Sequence, residues 1–258
     1  MDLPVIWQIF SLLFGLALGS FANVCIWRIP QGKSLASPPS SCPRCGTHIK
    51  FYDNIPILSY ILLKGKCRQC SAPIPIHYPM VEALMGLLSL ALFIRYGLSY
   101  QYLLYLAFLG SLLVITFIDL HHQIIPDVIS LPGIVVGFLA SLLPGAPSWA
   151  DSVIGILAGG LGLFLVAWGF KVLTGKEGMG GGDIKLLAMI GAWMGWRALP
   201  FVVLISSVSG TIIGAGALLV AGKSMGSRIP FGPFLALGAV IYFFFGSRLI
   251  NFYLSLLA

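Results

Sequence analysis

Residues 5–26 contain no charged side chain, and comparable apolar runs recur along the whole chain. Eight can be read, at roughly 5–26, 80–96, 101–118, 128–143, 152–172, 184–196, 200–221 and 232–247. Runs of about 20 apolar residues predict helices that cross a bilayer. They are continuous and do not alternate, which excludes a barrel. Only 9% of residues are charged, against about 25% in a soluble domain, so a soluble fold is excluded. Disorder is excluded as well, because it requires low hydrophobicity. The expected fold is an all-α polytopic membrane protein. The sixth run is short, and its helix is expected to begin inside the membrane-facing part of the protein. Gly155 and Gly159, like Gly210 and Gly214, have the spacing of close helix packing. The first run follows Met1-Asp2 without a basic segment, so it reads as a retained span.

The net charge of +7 is expected to set topology, with no nucleic-acid partner. If the 28–79, 171–185 and 222–231 segments face the cytoplasm, that side collects all fifteen basic residues except Arg95, Arg197 and Arg248. Both termini then lie on the outer face.

One loop, 28–79, is long enough to have structure of its own, yet too small for a core without a staple. Cys42-Pro43-Arg44-Cys45 and Cys67-Arg68-Gln69-Cys70, with 21 residues between them, predict two knuckles around one structural Zn²⁺. Disulfides or a redox pair are the alternatives. Disulfides are disfavoured because the loop is assigned to the reducing side. Cys25 is expected to be a packing residue, and His48 and His77 are spare candidates for a ligand position.

Only eight acids occur in the chain. Asp2, Asp151 and Glu177 read as solvated charges, and Asp53 lies in the ribbon loop. Glu82, Asp119, Asp127 and Asp183 sit at span ends, where ionisable groups are costly and seldom idle. Asp119 and Asp183 come from different helices that can converge. Two carboxylates sharing one proton can hydrolyse an amide, one activating water while its protonated partner polarises the carbonyl. If Asp183 opens its helix and Asp119 closes its own, the helix dipoles favour Asp183 as the ionised base and Asp119 as the acid, with Lys185 near Asp183 adding to this. The glycines before Asp183 permit positive φ or close approach of another backbone. His121 and His122 read as interfacial loop residues. For a basic substrate segment, the available acidic landing sites are Asp53, Glu82, Asp127 and Glu177.

Gly180-x-Gly182-Asp183 resembles the GxGD motif of intramembrane aspartyl proteases. The chain as a whole is similar to the bacterial type IV prepilin peptidases. The resemblance runs through Gly19-Ser20-Phe21-x-Asn23-Val24, Arg28-x-Pro30, Cys42-Pro43-x-Cys45-Gly46 and Asp53-Asn54-Ile55-Pro56. It continues through Gly65-x-Cys67-x-x-Cys70, Tyr78-Pro79-x-Val81-Glu82, Asp119, Ile125-Pro126-Asp127 and Gly178 to Lys185.

The resemblance implies a bifunctional enzyme of the bacterial inner membrane. It would cleave the leader of type IV prepilins or pseudopilins after a Gly at the cytoplasmic face. It would then methylate the new N-terminal amine, commonly on Phe, with S-adenosylmethionine. The dyad falls on Asp119 and Asp183, with Asp127, Gly180, Gly182 and Lys185 in support. Residues 1–100, with the cysteine loop, would be the half associated with methylation, and 101–258 the peptidase domain. Asp53, Asn54 and Glu82 are the candidates for the methyl-donor site. A protease of other substrates without methylation, or a transporter or scaffold with a ribbon handle, are the competing classes.

Overall fold

The computed structural model describes residues 4–175, 180–221 and 230–257. Nine α-helices are found among them, and no strand beyond isolated bridges. The chain divides into two compact units, Met1–Val114 and Ile115–Ala258.

The first unit holds α1 (Val5–Arg28), the short α2 (Leu58–Leu62), α3 (His77–Tyr96) and the first part of α4 (Tyr100–His122). α1 and α3 run antiparallel and touch through glycine. A Cβ on Gly19 would lie 2.6 Å from the Glu82 Cα, and one on Gly86 would lie 2.8 Å from Leu16 Cδ2. Bulkier residues there would push the helices apart, which is how small residues drive association in lipid. Deeper in the seam, Tyr102 OH lies 2.7 Å from Ser89 Oγ, and Ser89 Oγ donates to Ser11 O at 2.7 Å. Such bonds are worth about 1 kcal/mol each in a membrane.

The second unit holds the end of α4, then α5 (Asp127–Ala140), α6 (Trp149–Thr174), α7 (Gly181–Met194), α8 (Leu199–Ala221) and α9 (Gly232–Leu257). Its core is α7, where Leu186, Met189, Ile190 and Ala192 are at most 1% exposed. α5 lies parallel to α7, with Gly133 against Met189 and Gly137 against Trp193. Trp193 Nε1 donates to Gly133 O at 2.8 Å. α6 crosses α7 antiparallel with Gly155 on Gly191, backbone to backbone, and Gly159 on Leu187. This is the close packing expected from the Gly155/Gly159 spacing. Gly210 meets Phe234 of α9, while Gly214 lies outside the residues whose packing is described.

Eight of the nine helices fall on the eight apolar runs. Five are long and apolar enough to cross a membrane, and Asp127–Ala140 and Gly232–Gly246 are shorter apolar helices. α7 has 14 residues, or ~21 Å, less than a ~30 Å hydrocarbon core. Its short length fits a helix starting inside the protein. Large apolar side chains cover the outward surface of α6, among them Leu157, Leu161, Phe164 and Leu165. The chain is a multi-pass membrane protein. Asp2, Lys176, Glu177, Gly178, Lys223 and Arg228 lie outside the described residues.

Candidate active sites and metal centre

Two of the three span-end aspartates of the second unit are buried. Asp119, in the last turn of α4, is 4% exposed, and Asp183, in the first turn of α7, is 9% exposed. Ile125 lies between their surroundings. Its Cβ is 2.9 Å from where a Cβ of Gly182 would stand, and its Cδ1 is 3.2 Å from the corresponding point on Gly232. A Cβ on Gly232 would also sit 2.6 Å from Asp119 Oδ2. The glycines thus open space around both carboxylates.

Among the described glycines of this run positive φ plays no part: Gly180 is extended, with φ −77° and ψ 144°, and Gly181 and Gly182 are already helical. Gly182 admits a side chain, Ile125, where a neighbouring backbone was expected. Gly180, the N-cap of α7, lies beside the Asp183 carboxylate, where a Cβ would stand 3.5 Å from Oδ2.

Gly232, the first residue of α9, donates its backbone N–H to Asp119 Oδ2 at 3.0 Å. Asp119 thus receives a main-chain donor from the α9 N-terminus, and Asp183 lies in the first turn of α7; both settings favour negative charge. The helix ends are as expected, with Asp183 in the first turn of its own helix. Asp119 does close α4, but α9 offers it an N-terminus from outside its own helix. This contact joins residues 113 positions apart, so no local pattern announces it.

Lys185 is a second correction. Its Nζ binds both oxygens of Asp127, at 2.7 and 2.8 Å, and not Asp183. Two turns of helix geometry explain this, since α5 and α7 are parallel and their first turns lie side by side. No lysine or arginine pairs with either buried aspartate among the described residues. His121 and His122 belong to the last turn of α4, not to a loop. Asp151 is partnered, by Ser148 and Trp196.

The cysteine loop has two knuckles of one design. Cys42 N–H donates to Thr47 O and Gly46 N–H to Cys42 O. In the second knuckle, Cys67 N–H donates to Ala72 O and Ser71 N–H to Cys67 O. Gly46 and Ser71 occupy the same left-handed position, at φ 71° and 55°. The four Sγ atoms lie within 4.8 Å of one another, and Cys42 and Cys70 are 3.8 Å apart. Tetrahedral zinc with ~2.3 Å bonds requires sulfur edges of ~3.8 Å, so the donor set fits. Thr47's hydrogen bonds bring the Cys45 thiol down to about 6, chiefly through its side chain. Cys25 is buried in α1. His48 and His77 are not part of the four-sulfur cluster.

Of the methyl-donor candidates, Asp53 is engaged by Arg68, which approaches both oxygens, the closest at 2.6 Å. Those hydrogen bonds hold its carboxyl below the usual range. Asn54 is exposed at the end of a 3-10 turn. Glu82 is buried in α3 and accepts the Ile57 N–H at 2.8 Å. Sequence reasoning missed Ile57 as a partner of Glu82 and Asn23 as a partner of the Tyr78 carbonyl one turn away.

Residues 13–96 match the bacterial peptidase A24 N-terminal domain, and residues 106–215 match the type IV leader peptidase family. The prepilin leader peptidase/N-methyltransferase of Aeromonas hydrophila is 42% identical over 96% of this chain and 95% of its own. Those of Pseudomonas putida and Pseudomonas aeruginosa are each 38% identical, over 95% and 98% of this chain and 93% and 95% of theirs. No solved structure matches the chain at a significant level. The chain belongs to the type IV leader peptidase family.

Proposed function

We propose that this protein is a bifunctional enzyme of the bacterial inner membrane. It cleaves the leader peptide of type IV prepilins or pseudopilins, and it methylates the new N-terminal amine with S-adenosylmethionine as donor. One observation carries the peptidase half. Two carboxylates, Asp119 and Asp183, are buried in an apolar unit with no cationic partner among the described residues, while Lys185, two residues from Asp183, pairs with Asp127. Buried acids of this kind are expensive and functional.

In this reading one carboxylate of the dyad is ionised and takes a proton from water as it attacks the scissile carbonyl. The other is protonated, polarises the carbonyl oxygen and returns its proton to the leaving amine. The Gly232 N–H holds the Asp119 carboxylate in place. The pair titrates as one unit, so neither member is assigned a fixed role. Asp127 and Lys185 brace α5 against α7 beside it.

Residues 1–100 form the methylation half and 101–258 the peptidase half. The loop 28–79 and the dyad face the cytoplasm and both termini face outward, because basic residues crowd the former side. Cys42, Cys45, Cys67 and Cys70 would hold zinc, which supplies a cross-link that the small loop cannot replace with a core. The apolar segment of the pilin lies in lipid beside the helices.

Membranes carrying the protein, given a prepilin and labelled S-adenosylmethionine, should yield a shortened and labelled product. A full-length product would sink the peptidase half, and a shortened unlabelled one the methylation half.

A further inference from the structure

The first unit holds a buried polar seam that leader cleavage leaves unused. Glu82 is 9% exposed and Asn23 6%. They lie one helical turn apart along the α1–α3 contact: Asn23 Nδ2 donates to Tyr78 O at 3.0 Å, and Tyr78 is four residues before Glu82. The Ile57 N–H donates to Glu82 Oε2 at 2.8 Å.

Three features of this seam call for a ligand. Asn23 Oδ1 is buried with no hydrogen-bond partner, a state that costs about 1–3 kcal/mol and is rare without a functional reason. Glu82 has no lysine, arginine or histidine paired with it among the described residues. Ile57, a β-branched residue, has φ 60° and ψ −49°, and Leu58 N–H closes back on Pro56 O at 2.6 Å. That is the rare positive-φ γ-turn, and such strain gathers at functional sites. The seam thus lacks hydrogen-bond donors and one positive charge. A primary ammonium supplies both; an anion supplies neither.

We propose that Glu82 and Asn23 form the binding site for the α-ammonium of the cleaved pilin, with Glu82 as the base of methyl transfer. This rests on the methyltransferase reading above. Asn23 Oδ1 accepts one N–H of the ammonium, and Glu82 takes a second proton, which frees the nitrogen lone pair. Nitrogen then bonds to the methyl carbon as the bond from that carbon to the sulfonium sulfur breaks. S-adenosylhomocysteine leaves, the methylated amine carries the positive charge, and Glu82 releases its proton to water.

The test uses the purified full chain and two peptides with a mature pilin N-terminus beginning with Phe, one with a free amine and one N-acetylated. Calorimetry should show the free amine bound about tenfold or more tightly than the acetylated peptide, the worth of one charge-assisted hydrogen bond. Glu82→Gln keeps an oxygen that accepts the Ile57 N–H but loses the charge. It should bind both peptides alike and methylate about 100-fold more slowly, while leader cleavage reports an intact fold. Asn23→Leu should weaken amine binding without lowering the melting temperature. Wild-type amine preference and methylation in Glu82→Gln would overturn the proposal, as would both in Asn23→Leu. A wild-type protein that cleaves without methylating would defeat the methyltransferase reading and with it Glu82's role as base, while the peptide preference still decides whether the seam binds the ammonium.

Discussion

Asp119 Oδ2 accepts the backbone N–H of Gly232, the residue that opens α9, at 3.0 Å. The hydrogen bond leaves no room for a side chain at 232, since a Cβ there would meet the same oxygen at 2.6 Å. Gly232→Ala should therefore displace the carboxylate and lower cleavage by about 100-fold, as loss of a positioned acid–base group does. Asp119→Asn and Asp183→Asn should abolish cleavage while helical content, read by circular dichroism, stays unchanged. Retained cleavage in Asp183→Asn would remove the dyad.

The Asp127–Lys185 pair is exposed on both sides, 55% and 38%, and exposed pairs are worth about 1 kcal/mol or less. Asp127→Ala should slow cleavage less than Asp119→Ala, and Lys185→Ala should resemble it. Initial rates on a prepilin would decide this. A loss in Asp127→Ala equal to that of the dyad variants would bring Asp127 into the catalytic group.

Ser71 repeats the left-handed turn that Gly46 makes in the first knuckle, and a non-glycine residue there costs about 1–2 kcal/mol. Ser71→Gly should relieve it, and zinc should be released more slowly to a competing chelator. Metal analysis should find one zinc per wild-type chain and none in Cys42→Ser. Slower release from wild type than from Ser71→Gly would show that the turn is not strained.

How far the sequence exposed these sites depended on how local each signal was. The eight helices follow from unbroken apolar runs, and the ribbon follows from two CxxC pairs, because both patterns are contiguous. Asp119 and Asp183 stood out because acids are scarce in such a chain. Their partners did not, since Gly232 and Ile125 reach them only through tertiary packing. Lys185 misled for the same reason: adjacency to Asp183 in sequence says nothing about α5 lying alongside α7. The seam of Asn23 and Glu82 joins residues of two helices, and only its hydrogen-bond accounting sets it apart.

Arg68 hydrogen bonds hold the Asp53 carboxyl below its ordinary value. An unfolded Asp titrates near pH ~3.9, so the pair stabilises the ribbon fully above that pH. The contribution fades as pH falls through the depressed folded value. Asp53→Asn should lower the zinc-bound ribbon's thermal midpoint at pH 7 in low salt, and lower it less in about 1 M salt, where the ion pair is screened. An equal effect in both would assign the loss to packing instead of charge.

α7 owes its depth to glycine at the α6 crossing. Gly155 and Gly191 meet backbone on backbone, and a Cβ on either would run into the carbonyl of the other. Neighbouring Ser152 seals the contact by donating to Ala192 O at 2.8 Å. Gly191→Ala must push α6 away from α7, and overpacking of this kind costs about 1–3 kcal/mol. Because α7 carries Asp183 at its first turn, the displacement should reach the dyad. The variant should melt at lower temperature in detergent and lose cleavage, while Gly162→Ala, with open space around its Cβ, should do neither. If Gly191→Ala melted and cleaved like wild type, α7 would not depend on this crossing for its position.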